Sequence, residues 1–171
     1  SAAKQQITNG ALGSAYKEEK AVSLINQGKL QEAEAIYREL IEAGTKNHTV
    51  YGNLAAICGM QSRFEELIDL RNRALDIEPN HADSHNNMGN ALKQKGDLDA
   101  AIASYNRALR LKPDYSEAHN NLGIALMEQG DLDAAIASFN TAVQLKPNHA
   151  YFQSNLSMAE LLAGNYKSGW Q

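Results

Sequence analysis

The chain repeats itself between residues 82–115, ADSHNNMGNALKQKGDLDAAIASYNRALRLKPDY, and residues 116–149, SEAHNNLGIALMEQGDLDAAIASFNTAVQLKPNH. Aligned without a gap, the two stretches are identical at 20 of 34 positions. Their landmarks keep the same spacing, since Gly96 and Gly130 stand 34 residues apart. A fixed period of this length indicates an architecture built from one stacked unit.

Each copy contains two amphipathic helices separated by a short turn. The first has one apolar stripe with the spacing i, i+3, i+4 and i+7, formed by His85, Met88, Gly89 and Leu92. It ends at Gly96, a residue that can take a positive φ, and Asp97 stands where the next helix needs an N-cap. The second stripe, which Pro113 ends, consists of Leu98, Ala101, Ile102, Tyr105, Ala108 and Leu109. Neither helix can bury its stripe alone, so the copies are expected to stack.

The order of small and aromatic residues in the two copies resembles the tetratricopeptide repeat. Each copy has Met or Leu before Gly, then Ala, an aromatic residue, Ala and Pro, as at Gly89, Ala101, Tyr105, Ala108 and Pro113. The resemblance implies an all-α fold, a superhelix (solenoid) of antiparallel helix pairs, in which the first helix of each repeat lines the concave side. It also implies an array of the bacterial type that presents a groove to a protein partner.

The period extends over most of the chain. Counting by 34 leaves residues 1–13 as a leader or cap and gives an array over 14–171, with repeats at residues 14–47, 48–81, 82–115, 116–149 and a partial fifth, 150–171. Loops are predicted near Gly28, Ser62, Gly96, Gly130 and Gly164. Ser62 stands where glycine is expected, so its loop should be strained or differently wound. In the leader, Asn9-Gly10 is a turn signal, and a short capping helix and a disordered segment both remain open.

The C-terminal end carries a second resemblance. The segment GNYKSGW, residues 164–170, is similar to sequences that close repeat arrays in bacterial proteins with a glycosyltransferase-like region downstream. Because the fifth repeat stops inside its second helix, we expect the chain to be part of a longer protein. The apolar side chains of this end, which would lie uncovered and favour self-association, are Leu161, Leu162, Tyr166 and Trp170.

Composition and charge exclude several classes of protein. A formal net charge of −4 and a pI near 5.7 argue against a nucleic-acid or anionic-membrane surface, which needs clustered Lys and Arg. The chain has no apolar run close to the roughly 18 residues of a membrane-spanning helix, and its start lacks the basic and apolar regions of a signal peptide. Cys58 is the only cysteine, which excludes an internal disulfide or a multi-cysteine metal site. These features predict a cytoplasmic protein.

The sequence contains no motif for catalysis or for phosphate binding. G-x-S-x-G, H-E-x-x-H, G-x-x-x-x-G-K-[ST] and G-x-G-x-x-G are all absent. His81, Asp83 and His85 have a spacing that metal ligands use. However, His81 recurs at His149 and His85 at His119 on the repeat period, which packing between repeats explains. We therefore predict a chain that is not an enzyme and that has neither a metal site nor a cofactor.

Asparagine recurs on the first helix of each repeat. Asn53, Asn87, Asn121 and Asn155 stand 34 residues apart, and beside them stand Asn86, Asn90 and Asn120. Asn costs a helix up to roughly 0.7 kcal/mol against Ala, so its recurrence calls for a role. Its amide can donate to and accept from a peptide bond, and the ladder is similar to the one with which the O-linked N-acetylglucosamine transferase superhelix binds substrate peptides. Hydrogen bonding to the neighbouring repeat is the alternative role, and both remain open.

These observations predict a protein–protein interaction scaffold that binds an extended peptide segment in a concave groove. The alternatives are the substrate-recruiting arm of a larger transferase and a homotypic assembly scaffold. One binding mode known in the family is disfavoured. Members that bind chaperones use Lys and Arg on the concave face of the first helices to clamp a terminal carboxylate. The matching places here hold Glu18, Val22, Asp83 and Asn87.

Overall fold

A computed structural model describes the backbone of residues 2–164 and the side chains of residues 13–164. The secondary structure of this part of the chain is entirely helical, which confirms the all-α prediction. Its helices are α1 (Ala2–Asn26), α2 (Leu30–Glu42), α3 (His48–Met60), α4 (Phe64–Ile77), α5 (Ala82–Lys95), α6 (Leu98–Leu111), α7 (Ser116–Gln129), α8 (Leu132–Leu145) and α9 (Ala150–Leu162).

The loops lie where the 34-residue period predicts them. Helix α5 ends at Lys95 and α7 at Gln129, so that neither continues through the glycine that follows it. Gly96 and Gly130 have φ values of 90° and 93°, in the left-handed region that closes a helix. The aspartate after each glycine then caps the next helix, as when Asp97 accepts a hydrogen bond from the Ala100 N–H at 3.2 Å.

The loop after α3 is strained, as its sequence predicts. Ser62 has a φ of 59°, the one positive value at a non-glycine residue within the described part of the chain. An L-residue in this conformation costs about 1–2 kcal/mol. The turn is nevertheless closed by the usual backbone hydrogen bonds, from Ser62 to the Gly59 carbonyl at 3.1 Å and from Arg63 to the Cys58 carbonyl at 2.9 Å.

No turn forms at Asn9-Gly10, which carries a turn signal in the sequence. Helix α1 begins at Ala2 and continues through both residues to Asn26. A single glycine inside a helix costs only about 1 kcal/mol relative to alanine, so a local turn signal does not suffice to end a helix among residues that favour one.

The helices form two compact units, Ser1–Pro79 and Asn80–Gln171, which we call unit 1 and unit 2. In unit 1, α1 packs on α2, α2 on α3 and α3 on α4. In unit 2, each helix from α5 to α9 likewise packs on the next, and α7 also contacts both α5 and α9.

An aromatic side chain fills the space between the two helices of a repeat. In unit 2, Tyr105 of α6 and Phe139 of α8 are fully buried. They lie against glycines of the preceding helices, so closely that a Cβ added to Gly89 would stand 2.5 Å from the Tyr105 ring and one added to Gly123 would stand 2.7 Å from the Phe139 ring. The small residues read from the sequence therefore do bring the paired helices close together.

Candidate functional site

Unit 1 has a groove of about 350 Å³ between α1 and α3. This volume falls within the range of about 300–1,000 Å³ that is usual for ligand sites. The residues that line the groove come from α1, from the middle of α2 and from the start of α3: Glu18, Glu19, Val22, Tyr37, Thr49, Val50 and Asn53. Only Asn53 among them belongs to the predicted asparagine ladder.

A hydrogen bond between Tyr37 and Asn53 lies inside the groove. The Asn53 Nδ2 donates to the Tyr37 hydroxyl oxygen at 3.1 Å; Tyr37 is fully buried, its hydroxyl included, whereas Asn53 is half-buried. Burial raises the pKa of Tyr37 and the charge of Glu18 adds to this, although the Asn53 hydrogen bond opposes it, so the hydroxyl stays protonated. Among the described residues, neither the hydroxyl hydrogen of Tyr37 nor the amide oxygen of Asn53 has a further partner. The amide oxygen of the half-buried Asn53 therefore remains as an acceptor for a peptide N–H, while the Tyr37 hydroxyl hydrogen is buried.

The rim of the groove on α1 is acidic and held in place. Asn47 caps α3 by accepting a hydrogen bond from the Thr49 N–H at 3.0 Å, and its Nδ2 donates to Glu18 at 2.7 Å. This amide orients the Glu18 carboxylate without neutralising its charge. Beside it, Val22 is 44% exposed and provides an apolar surface. The sequence had marked Glu18 and Val22 only as places where a carboxylate clamp lacks its cations.

In unit 2, two pairs of ladder asparagines bond to each other between helices. The Asn121 Nδ2 of α7 donates to the Asn86 oxygen of α5 at 3.1 Å, and the Asn155 Nδ2 of α9 donates to the Asn120 oxygen of α7 at 2.8 Å. The accepting residues are only 5% and 2% exposed, respectively. These four amides join the first helices of neighbouring repeats.

The remaining ladder residues of unit 2 differ in their surroundings. Asn90 is half-buried, and its side-chain oxygen accepts a hydrogen bond from the Tyr105 hydroxyl at 2.8 Å. Asn87 is exposed, and its amide has no hydrogen bond within the part of the chain that the structure describes. In unit 2, Asn87 is thus the ladder residue whose whole amide is exposed and without a partner among the described residues.

The side chains considered for other chemistry have structural roles. The His81 Nδ1 accepts a hydrogen bond from the Ser84 N–H at 3.2 Å and thereby caps α5. Burial raises the pKa of the Cys58 thiol, which is fully buried, and so keeps it protonated and unreactive. Over residues 13–164, no three side chains of His, Cys, Asp or Glu are grouped so that they could hold a metal ion.

Three family models match the chain. One, described as a TPR repeat, matches residues 89–130, and two described as a tetratricopeptide repeat match residues 116–149 and 72–103. The chain belongs to the tetratricopeptide repeat (TPR) family. None of the curated proteins matches it significantly in sequence.

Solved TPR structures have a similar fold. MamA from Desulfovibrio magneticus RS-1 is 15% identical with a TM-score of 0.83, over 91% of this chain and 88% of that one. A TPR protein from Parabacteroides merdae is 20% identical with a TM-score of 0.81, over 90% and 61% of the two chains. YrrB, described as a TPR protein with an unusual peptide-binding site, is 22% identical with a TM-score of 0.77, over 98% and 86%. At these identities the similarity concerns the fold alone. No described helix is both long and apolar enough to cross a membrane.

The TPR period also explains why the groove of unit 1 differs from the corresponding places in unit 2. The aromatic position of the second helix recurs at Tyr37, Tyr105 and Phe139, each 15 residues after a fixed position on the first helix of the same repeat. In unit 2 that first-helix residue is Asn90 for Tyr105, which bonds to it, and Ile124 for Phe139, which has no hydroxyl. In unit 1 it is Val22, which cannot bond to Tyr37. The Tyr37 hydroxyl therefore bonds to Asn53 of the next helix instead.

Sequence reasoning missed one residue at this aromatic position. Arg71 of α4 stands 34 residues from both Tyr37 and Tyr105, a departure from the repeat that the alignment could have revealed. Burial lowers the pKa of the Arg71 guanidinium, and its Nε is buried without a hydrogen bond. None of the carboxylates among the described residues forms an ion pair with it. An arginine here replaces the apolar filling of the other repeats with a poorly compensated charge.

Proposed function

We propose that this TPR protein is an interaction scaffold without catalytic activity, and that the groove of unit 1 binds an extended peptide segment. The observation that carries the proposal is the unpaired amide oxygen of Asn53 in a groove that also contains the exposed Val22. They match the backbone of a peptide and one of its apolar side chains. The peptide-binding site in the description of YrrB, a protein of similar fold, is consistent with this proposal.

The asparagine ladder then serves two purposes. We propose that Asn53 and Asn87 contact the ligand, and that Asn86, Asn120, Asn121 and Asn155 act mainly between repeats. The half-buried Asn90 orients Tyr105. The binding residues are in this view fewer than the sequence pattern suggests.

Selection from a displayed library of random 12-residue peptides tests the proposal. Peptides selected on the whole chain should bind Val22→Arg at least tenfold more weakly, because the long charged side chain fills the groove. Asn53→Ala should weaken them by about two- to tenfold, the equivalent of a net hydrogen bond of about 0.5–1.5 kcal/mol. The matched control is Ala35→Arg on the exposed face of α2, which should have no effect. Selected peptides that bind Val22→Arg and Ala35→Arg equally well would contradict the proposal.

Self-association is the second candidate function, and exposed side chains of α9 favour it. Tyr151, Met158, Leu161 and Leu162 all present apolar surface to solvent. Tyr166 and Trp170, which the sequence adds to this end, lie outside the described residues. We expect sedimentation velocity to show a concentration-dependent dimer that Leu161→Glu/Leu162→Glu abolishes. A wild-type chain that stays monomeric up to about millimolar concentration rules this candidate out.

Two further proposals concern the setting of the array. A cytoplasmic location suits a chain whose single cysteine is buried and reduced. The alternative function, a substrate-recruiting arm of a larger transferase, depends on the sequence of residues 164–170 alone. All of these except Gly164 lie outside the described residues.

A further inference from the structure

The groove of unit 1 has a one-sided charge. Its lining includes the carboxylates of Glu18 and Glu19 and no basic residue. Of the two lysines that flank this pair in sequence, Lys17 forms an ion pair with Glu39 of α2 at 2.5 Å, and Lys20 is exposed and does not line the groove. The negative charge of the α1 rim is therefore available to a ligand.

The position of Glu18 relates this charge to the peptide-binding groups. Its carboxylate is oriented by the neutral Asn47 amide and is close enough to Tyr37 to act on its hydroxyl. A ligand whose backbone bonds to Asn53 must consequently pass beside Glu18, which lines the same groove. A Lys or Arg side chain of that ligand can form an ion pair there, whereas an acidic side chain or a terminal carboxylate is repelled.

The apolar part of the groove lies along the same helix. Val22 is one turn after Glu18 on α1, and Val50 closes the groove on the α3 side. A side chain that covers Val22 is therefore adjacent in space to one that reaches Glu18 or Glu19. The two surfaces together require an apolar and a basic residue close to each other in the ligand.

We propose that the groove of unit 1 selects peptide segments in which an aliphatic residue stands next to Lys or Arg. This inference rests on the proposed function and adds the chemistry of the partner to it. The groove prefers basic segments over neutral ones, and it rejects the acidic C-termini that other TPR domains clamp.

Three capped peptides of equal length test the charge preference: acetyl-GLRLKG-amide, its Gln-substituted form acetyl-GLQLQG-amide and its Glu-substituted form acetyl-GLELEG-amide. Each is titrated into the isotopically labelled chain, with the backbone amide signals of Val22 and Asn53 as the readout. We expect the basic peptide to bind at least tenfold more tightly than the neutral one, with an affinity that falls as salt is added. The acidic peptide should leave both signals unchanged.

A charge-removing variant assigns the preference to the rim. Glu18→Gln/Glu19→Gln should reduce binding of the basic peptide to the level of the neutral one, measured as the ratio of the two affinities in the same variant. The matched control, Asp69→Asn/Asp76→Asn, removes the same charge from exposed positions of α4 and should preserve the preference. An equal loss in both variants would mean that net charge, and not the groove, attracts basic peptides, and it would overturn the inference.

The outcomes separate this inference from the function on which it rests. Neutral or acidic peptides that perturb Val22 and Asn53 as strongly as the basic one overturn the charge preference and leave the groove as a peptide site. If none of the three peptides binds, the peptides selected from the random library provide the test. Selected peptides that need the groove for binding but are not enriched in Lys and Arg also overturn the preference. Selected peptides that bind Val22→Arg and Ala35→Arg equally well refute the proposed function itself.

Discussion

Gly89→Ala is expected to destabilise unit 2, although alanine is the better helix former by about 1 kcal/mol. The added Cβ would lie 2.5–2.8 Å from three atoms of the Tyr105 ring, which is fully buried and whose hydroxyl donates a hydrogen bond to Asn90. Overpacking of this kind costs about 1–3 kcal/mol, which more than offsets the gain in helix propensity. Urea unfolding followed by circular dichroism should show the loss as a lower midpoint.

Gly52→Ala is the matched control for this prediction. Gly52 also lies inside a helix, α3, but an added Cβ would meet no atom within 4 Å. Only the higher helix propensity of alanine then changes the stability, and the variant should be more stable than the wild type by up to about 1 kcal/mol. If Gly89→Ala also gains stability, the close approach of α5 to Tyr105 is not needed for the fold.

Asn120→Ala is expected to lower the stability of unit 2 by about 1–3 kcal/mol, because the Nδ2 of the half-buried Asn155 loses its acceptor. The better helix propensity of alanine offsets only up to about 0.7 kcal/mol of this loss in stability. A double-mutant cycle between Asn120→Ala and Asn155→Ala should give a coupling free energy that accounts for much of the single-variant loss. Thermal and urea unfolding of the four proteins measure it.

Asn87→Ala serves as the comparison within the same ladder. Its side chain is exposed and has no partner in the described part of the chain, so stability should remain equal or rise by up to about 0.7 kcal/mol. Equal losses from Asn87→Ala and Asn120→Ala would show that the two amides play the same part. The contrast between burial and exposure would then carry no functional meaning.

The sequence predicted the secondary structure well because its signals for ending a helix are local and recur. Gly96 and Gly130 close their helices in the conformation that glycine tolerates best, and Ser62 adopts the same conformation under strain. The turn expected at Asn9-Gly10 does not form, because its surroundings favour a helix and no second signal supports the turn. Recurrence on the period therefore identifies a helix end better than a dipeptide does.

The candidate site was only partly visible in the sequence. The recurring asparagines drew attention to one face of the first helices, and one of them, Asn53, lines the groove of unit 1. Their pattern could not show that Asn86 and Asn120 are buried acceptors whereas Asn87 is exposed. Adjacent residues on a helix differ in direction by about 100°, so a small change in how two helices pack decides which amide meets its neighbour.

The sequence by itself determined the TPR family, the helix pairs and the positions of their loops, because these follow from periodicity, helix-ending residues and the stacking of apolar stripes. The tertiary structure alone decided which amide keeps an unpaired atom at the groove. In unit 1 Val22 stands where Asn90 stands in unit 2, so that Asn53 donates to the Tyr37 hydroxyl across to the next helix and its amide oxygen remains without a partner among the described residues. Such a choice between partners depends on distances of about 3 Å between residues on different helices, which a one-dimensional pattern does not contain.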